Sequence, residues 1–209
     1  MFVNSNIVNE IVTYYQEKLS ALYPSTELKN ITEMMFEHFM GWDKMTLRSN
    51  SKSSLSESEL LLFHKALKRL LKNEPVQHIT GEMEFYSLPF KVNKNVLIPR
   101  PETEILINVS IDYLSSKKNP FIIDVGTGSG CIGITLAKEL PSSNVIAIDY
   151  SQQALNIAKK NSKLIGVKNI EFIKLDFLSE NFDITYLEGD RRVLFDSTMQ
   201  LYNDSIKAD

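Results

Sequence analysis

The chain holds a single cysteine, Cys131, no apolar run near the roughly 18 residues a membrane helix needs, and no surplus of basic side chains. One thiol cannot close an internal disulfide, which fits a reducing compartment. The first ten residues, MFVNSNIVNE, lack the basic start and long apolar stretch of a secretion signal. The expectation is a cytoplasmic protein with no membrane partner. The formal net charge is −3, and the first 75 residues carry nine basic and nine acidic groups, so the deficit lies in the remainder. That balance leaves no basic stripe of the sort that grips phosphate backbones, and no direct nucleic-acid contact is expected. His38, His64 and His78 lie far apart without metal spacing, so no metal site is expected. Ser129 has no nearby histidine and no G-x-S-x-G elbow, which argues against a serine hydrolase. What is present is 43% hydrophobic residues over 209 positions, enough for a packed core.

Ile7, Ile11, Tyr14, Tyr15, Lys18 and Leu22 step at three or four, and all but Lys18 are apolar. This predicts an amphipathic helix from about residue 4 to 23, stopped by Pro24. A second helix, 26 to 40, puts Leu28, Ile31, Met35 and Phe39 on one face and ends at Gly41. Ser56 and Glu59 form a capping box that opens a third helix through Leu60, Phe63, Leu67 and Leu71. Residues 1–75 therefore read as a small helical domain. After Pro75 the stretch EFYSLPFKVNKNVLIP alternates and is rich in aromatic and branched residues, which predicts a β-hairpin linker over 76–100. A helix follows from 102. Beyond Pro120, FIIDV, NVIAID and IEFIKL alternate with helices ending near Leu140 and Ile165. This predicts an α/β domain over 101–209, with a parallel sheet and right-handed crossovers.

In such a sheet ligands sit beyond the carboxyl ends of the strands. Gly126-Thr127-Gly128-Ser129-Gly130 lies there, where the first strand hands over to a helix. Glycine leaves no Cβ between backbone and ligand, and a helix N-terminus favours a carboxylate or phosphate. Asp149 ends the second strand, where it can accept both hydroxyl protons of a ribose. Asp176 and Phe177 follow the third strand, placed to meet an adenine amino group and ring. Gly128, Gly130 and Gly133 also satisfy G-x-G-x-x-G, so a dinucleotide-binding oxidoreductase stays open, as does a loop whose glycines serve only the turn. Two details favour S-adenosylmethionine. Asp124 stands two residues before the first glycine, where its carboxylate can face the cofactor's ammonium, and Gly126 starts the turn too early for the dinucleotide register. No Gly-Lys-Ser/Thr follows, which excludes a P-loop. Cys131 falls in the first turn of the helix, compatible with a lowered thiol pKa or with a small side chain packed on the sheet.

The segments NEPVQHITGEMEFYSLPFKVNKNVLIPRPETEIL, DVGTGSGCIGITLAKELP and VIAIDYSQQALNIAKKN closely resemble the release-factor glutamine methyltransferases, the HemK/PrmC family. The likeness covers about residues 1–183, and IPRPETE is its specific part. It implies a helical N-terminal domain that helps dock the substrate, a hairpin linker and a Rossmann-like class I methyltransferase domain. The implied reaction is N5-methylation of the glutamine in the Gly-Gly-Gln motif of peptide-chain release factors, with S-adenosyl-L-methionine as cofactor. Gly126 to Gly130, Asp149 and Phe177 would touch that cofactor, with Asp176 nearby. Two prolines stiffen PRPE, so that Arg100, Glu102 and Thr103 could be presented at the mouth of the site for substrate or cofactor. The plainer alternative is an Arg100–Glu102 ion pair or a helix start.

The family carries Asn-Pro-Pro-Tyr directly after its fourth strand, and this sequence does not. The fourth strand is expected near FDITYL, 182–187, and the 22 residues that follow are expected to make one short strand and one helix. DRRV reads as a solvated turn. The expectation is an incomplete or divergent methyltransferase domain after about 183, by truncation, by a replaced C-terminus that binds S-adenosylmethionine without catalysis, or by residues missing from the recorded sequence. A four-stranded sheet with a bare edge is expected to self-associate.

Overall fold

The computed structural model describes residues 5–176 and, beyond them, the backbone of two strands at 192–196 and 199–202. The chain divides into two units, Met1–Thr80 and Gly81–Asp209. Among the described residues no helix is long and apolar enough to cross a membrane.

The first unit is helical: α1 (Val8–Leu19), α2 (Ser25–Met40), α3 (Lys44–Ser49), α4 (Glu57–Leu70) and α5 (Val76–Thr80). α1 stops a turn earlier than its periodicity predicts, and Leu22 is left 42% exposed. Pro24 disfavours helical geometry at the residue before it, so the chain turns after Leu19 instead. Lys18, the misfit in the apolar stripe, lies with its ammonium 5.4 Å from the Tyr14 ring centroid, a cation–π contact. α2 ends at Gly41, whose φ of +67° lets its N–H reach the Glu37 carbonyl. α4 opens on the capping box: the Glu59 carboxylate accepts from the Ser56 N–H at 2.6 Å, and the Glu59 N–H donates to Ser56 Oγ at 3.3 Å.

Ile11, Tyr15 and Leu19 of α1 meet Leu28, Met35 and Phe36 of α2 and Phe63, Leu67 and Leu70 of α4 in one buried cluster. The rings of Phe36 and Phe63 lie 4.4 Å apart between centroids. The buried Tyr15 hydroxyl donates to the Phe63 carbonyl, and burial holds its pKa far above the usual phenol value. The division falls after Thr80, beyond Pro75, because α5 belongs to this core. Val76 is buried in it, and Arg69 of α4 grips both Glu74 (2.7 and 2.6 Å) and the His78 carbonyl (3.0 Å).

The second unit begins with the hairpin, β1 (Glu82–Phe85) antiparallel to β2 (Leu88–Lys91). Its two-residue turn puts Tyr86 and Ser87 at φ +52° and +57°, an uncommon conformation for residues with a Cβ. Tyr86 is held there from both ends. Its N–H donates to Glu104 Oε1 at 2.8 Å and its hydroxyl to Asn108 Oδ1 at 2.9 Å, both on α6 (Thr103–Leu114). Phe85 and Phe90 are buried edge to face, and join α6 and α7 (Cys131–Glu139) in the main core of this unit.

The sheet has the order β5-β4-β3-β6-β7, from β3 (Phe121–Val125), β4 (Asn144–Asp149), β5 (Ile170–Lys174), β6 (Arg192–Asp196) and β7 (Met199–Tyr202). β5, β4, β3 and β6 run parallel, and β7 is antiparallel to β6. α7 and α8 (Gln152–Ile165) make the crossovers between β3, β4 and β5. The expected strand at 182–187 lies outside the described residues. The strand that pairs with β3 on the side away from β4 is β6, so two corrections follow. Arg192 and Val193 of DRRV belong to a strand rather than a turn, and the described residues after 187 form two strands where one was expected. The sheet is accordingly five-stranded among the described residues, with β5 and β7 at its edges.

Candidate functional site

The glycine loop leaves β3 beside the carboxyl end of β4, and register fixes the geometry. Val125 pairs with Ile148, so Asp149 stands one residue beyond the end of β3, next to the turn. Gly126, Gly128 and Gly130 have φ of +69°, +56° and +84°, so the alternate spacing follows a left-handed conformation at every second residue. Gly130 admits no side chain on a second ground: a Cβ there would lie 2.5 Å from Ile134 Cδ1. The loop starts its turn at Gly126, the register that favoured S-adenosylmethionine. Gly133 serves the separate demand of close helix–strand packing, since a Cβ would come 2.8 Å from Asp124 Oδ2. That packing is the task of the third glycine in a dinucleotide loop, which explains why the G-x-G-x-x-G pattern overlaps here.

Two acids hold the loop from different sides. Asp149, 7% exposed, accepts from the Gly128 N–H at 2.9 Å through Oδ2 and from the Ser151 N–H at 2.8 Å through Oδ1. Each carboxylate oxygen has a second lone pair, so capacity is left for two more donors. Asp124 is fully buried. Its Oδ2 accepts from Thr127 Oγ1 at 2.6 Å and from the Gly133 N–H at 3.0 Å. Through this oxygen Asp124, read from sequence as facing an ammonium, ties the loop to the first turn of α7. Thr127 also donates its N–H to the Ile148 carbonyl at 2.9 Å, and Gly130 its N–H to the Thr127 carbonyl at 2.8 Å. Ser129, 2% exposed, presents its carbonyl to Asn161. Cys131 is packed rather than reactive: burial first, and the Asp124 charge second, push its thiol up to about 12.

Asp176 is exposed two residues beyond β5, and the Leu175 N–H donates to the Asp149 carbonyl at 3.1 Å, which brings this segment to the end of β4. Phe177 lies outside the described residues. Arg100 and Glu102 are exposed, Thr103 is half-buried, and among the described residues no ion pair joins Arg100 to Glu102. These three form the start of α6: the Thr103 N–H donates to the Arg100 carbonyl at 3.0 Å, and Glu102 occupies the N-cap position without a side-chain cap. α6 packs beside α7. Among the described residues no group of three or more metal-ligating side chains comes together.

Two residues of this neighbourhood are missed by the sequence reading. Tyr150, 76% exposed, stands directly after Asp149, a large ring left in solvent beside a buried acid. Asn161, fully buried on α8, bonds to both the hairpin and the loop. Tyr150 is findable as an aromatic next to a strand-end acid, whereas Asn161 is one polar residue among several on its helix. At the far side of the loop, β6 ends at Asp196 in register with Val125. The sequence there continues Asp196-Ser197-Thr198.

Comparison with known proteins agrees with this architecture in both units. The PrmC N-terminal domain matches residues 10–81, and a methyltransferase domain matches residues 116–205. The release factor glutamine methyltransferase of Flavobacterium psychrophilum is 38% identical over 186 residues, 85% of this chain and 65% of that protein. The protein of the same name from Chlorobaculum tepidum is 41% identical over 156 residues, 72% of this chain and 53% of its own length. The chain thus spans between about half and two thirds of these relatives. Among solved structures, a ribosomal protein L11 methylase from Lactobacillus delbrueckii subsp. bulgaricus is 26% identical over 43% of this chain and 46% of its own, with a TM-score of 0.35, too low to bear on function. With both domains matched, and this identity across most of its length, the chain is similar to the release factor glutamine methyltransferases.

Proposed function

We propose that the chain binds S-adenosyl-L-methionine at the carboxyl ends of β3, β4 and β5 and takes part in methylating the side-chain amide of the Gly-Gly-Gln glutamine in peptide-chain release factors. The observation that carries the binding half is the Asp149–Gly128 bond, which sets a strand-end carboxylate against a loop stripped of Cβ atoms. The remaining lone pairs of Asp149 suit the two hydroxyls of a ribose, and its charge disfavours a phosphate on that ribose. The loop backbone and the N-terminus of α7 suit the carboxylate of the amino-acid end. Tyr150 offers a ring face beside the ribose acceptor, while Asp176 and Phe177 would serve the adenine from the β5 side. Arg100, Glu102 and Thr103 are proposed for the mouth of the site. When bound, the cofactor supplies an electrophilic methyl group on a sulfonium sulfur.

The substrate half rests on the family. An amide nitrogen is a weak nucleophile because its lone pair is delocalised, so the protein's task is to hold it in line with the methyl group and accept from its N–H groups. The 209 residues contain no Asn-Pro-Pro-Tyr, so binding and transfer are tested apart. The chain is incubated with methyl-labelled S-adenosylmethionine and a purified release factor, beside a release factor whose Gly-Gly-Gln glutamine is replaced. Label on the first and not the second is the expected result. Binding of S-adenosylhomocysteine without label transfer would overturn the catalytic half, and absence of both would overturn the whole reading.

A further inference from the structure

Asn161 is fully buried on α8, and its side-chain amide is spent on backbone from two distant parts of the chain. Oδ1 accepts from the Lys91 N–H at 2.7 Å, while Nδ2 donates to the Lys91 carbonyl at 2.9 Å and to the Ser129 carbonyl at 2.8 Å. Toward Lys91 it does what a neighbouring strand would do, pairing both backbone groups at the end of β2. Toward the loop it fixes the Ser129–Gly130 peptide, whose N–H closes the turn onto the Thr127 carbonyl at 2.8 Å. One rigid amide plane therefore joins the hairpin to the glycine loop. The segment after β2 follows the same path: Val92 and Val96 are buried against Ala154 and Ile157 of α8, on the way to Pro99 and Arg100. Packing alone asks for none of this, since an apolar side chain of similar volume would fill the space and strand three backbone groups.

We propose that Asn161 is a positioning residue that couples the glycine loop to the β1–β2 hairpin, so that a ligand ordering the loop also tightens the hairpin and the segment leading to Arg100. The coupling rests on the S-adenosylmethionine reading. It runs in both directions, since a hairpin held by a partner would equally favour the loop's bound shape.

The test is hydrogen exchange on the whole 209-residue chain, with and without S-adenosylhomocysteine, read over 124–133 and over 88–96. The expected result is slower exchange in the loop and, by about fivefold or more, in the hairpin strand. In Asn161→Ala the loop protection persists with affinity about tenfold weaker, and the hairpin protection is lost. Loop protection without hairpin protection in the wild type overturns the coupling, as does hairpin protection retained in the variant. No protection in the loop overturns the cofactor reading itself, and the coupling with it, so the two failures are told apart. Should Asn161→Ala not fold, the wild-type comparison decides, joined by Asn161→Asp, which keeps the acceptor for Lys91 and loses both donors.

Discussion

In the helical unit the interior is rings and branched chains, and its buried polar groups among the described residues are the Thr32 hydroxyl, bonded within its own helix to the Leu28 carbonyl, and the Tyr15 hydroxyl, bonded to the Phe63 carbonyl. The α/β unit buries nine, and Asp124, Thr127, Asp149 and Asn161 among them bond across elements to the glycine loop or from it. The difference follows from what each unit must hold. Helices satisfy their own backbone and need only a shared apolar face. A loop with three residues at positive φ satisfies little of its own backbone, so side chains from β3, β4 and α8 must do it. Buried polar groups that converge on one turn are therefore the physical mark of the site.

The largest effect that separates the units is expected from Phe63→Ala, which removes a ring packed against Phe36 and Phe39 and destabilises the helical core by about 3–5 kcal/mol. Thermal unfolding should show the loss, while affinity for S-adenosylhomocysteine stays unchanged. A drop in affinity would break the division of labour. Next comes a contrast between glycines. Gly130→Ala meets Ile134 at 2.5 Å and a φ of +84°, and should cost about 1–3 kcal/mol together with ligand binding. Gly41→Ala has a φ of +67° but open space around it, so only the backbone penalty of about 1–2 kcal/mol applies and binding is untouched. Parallel melts and titrations of the two variants test this, and equal losses of affinity would contradict it.

The smallest effect is one of pH. The Ser56 hydroxyl first, and its N–H second, hold the Glu59 carboxyl below its usual value, and Arg69 does the same for Glu74. Both groups have folded pKa values lowered from 4.5, so their stabilisation is fully present above that value and is lost as pH falls through the lower, folded ones. The helical unit should therefore weaken below about pH 4.5, and Ser56→Ala should flatten part of that slope. An unchanged slope in the variant would show that the capping box contributes nothing to it.

Much of this was legible because it is local. FIIDV and NVIAID are largely apolar runs that each carry one acid at or next to the carboxyl end, and each is a strand; Ser56 with Glu59 is a capping box in both sequence and structure. Asp149 reads correctly as a strand-end acid beside the loop, since strand register alone places it there. The bond from the Gly133 N–H to Asp124 is not legible, because it depends on how closely Gly133 lets α7 approach β3. Asn161 is not legible either: its partners lie 70 and 32 residues away, and no periodicity announces them. RVLFD is a short run flanked by charge, and only its pairing with β3 identifies it as a strand.

The polar clasp around Gly126–Gly130 is proposed as an S-adenosylmethionine site. Calorimetric titration of the chain with S-adenosylhomocysteine, wild type beside Asp149→Ala, tests it most directly. The wild type is expected to bind with a dissociation constant of micromolar order, and the variant about a hundredfold or more weaker, since it gives up the proposed ribose acceptor together with the Gly128 and Ser151 bonds. No binding by the wild type, or equal binding by both, would contradict it.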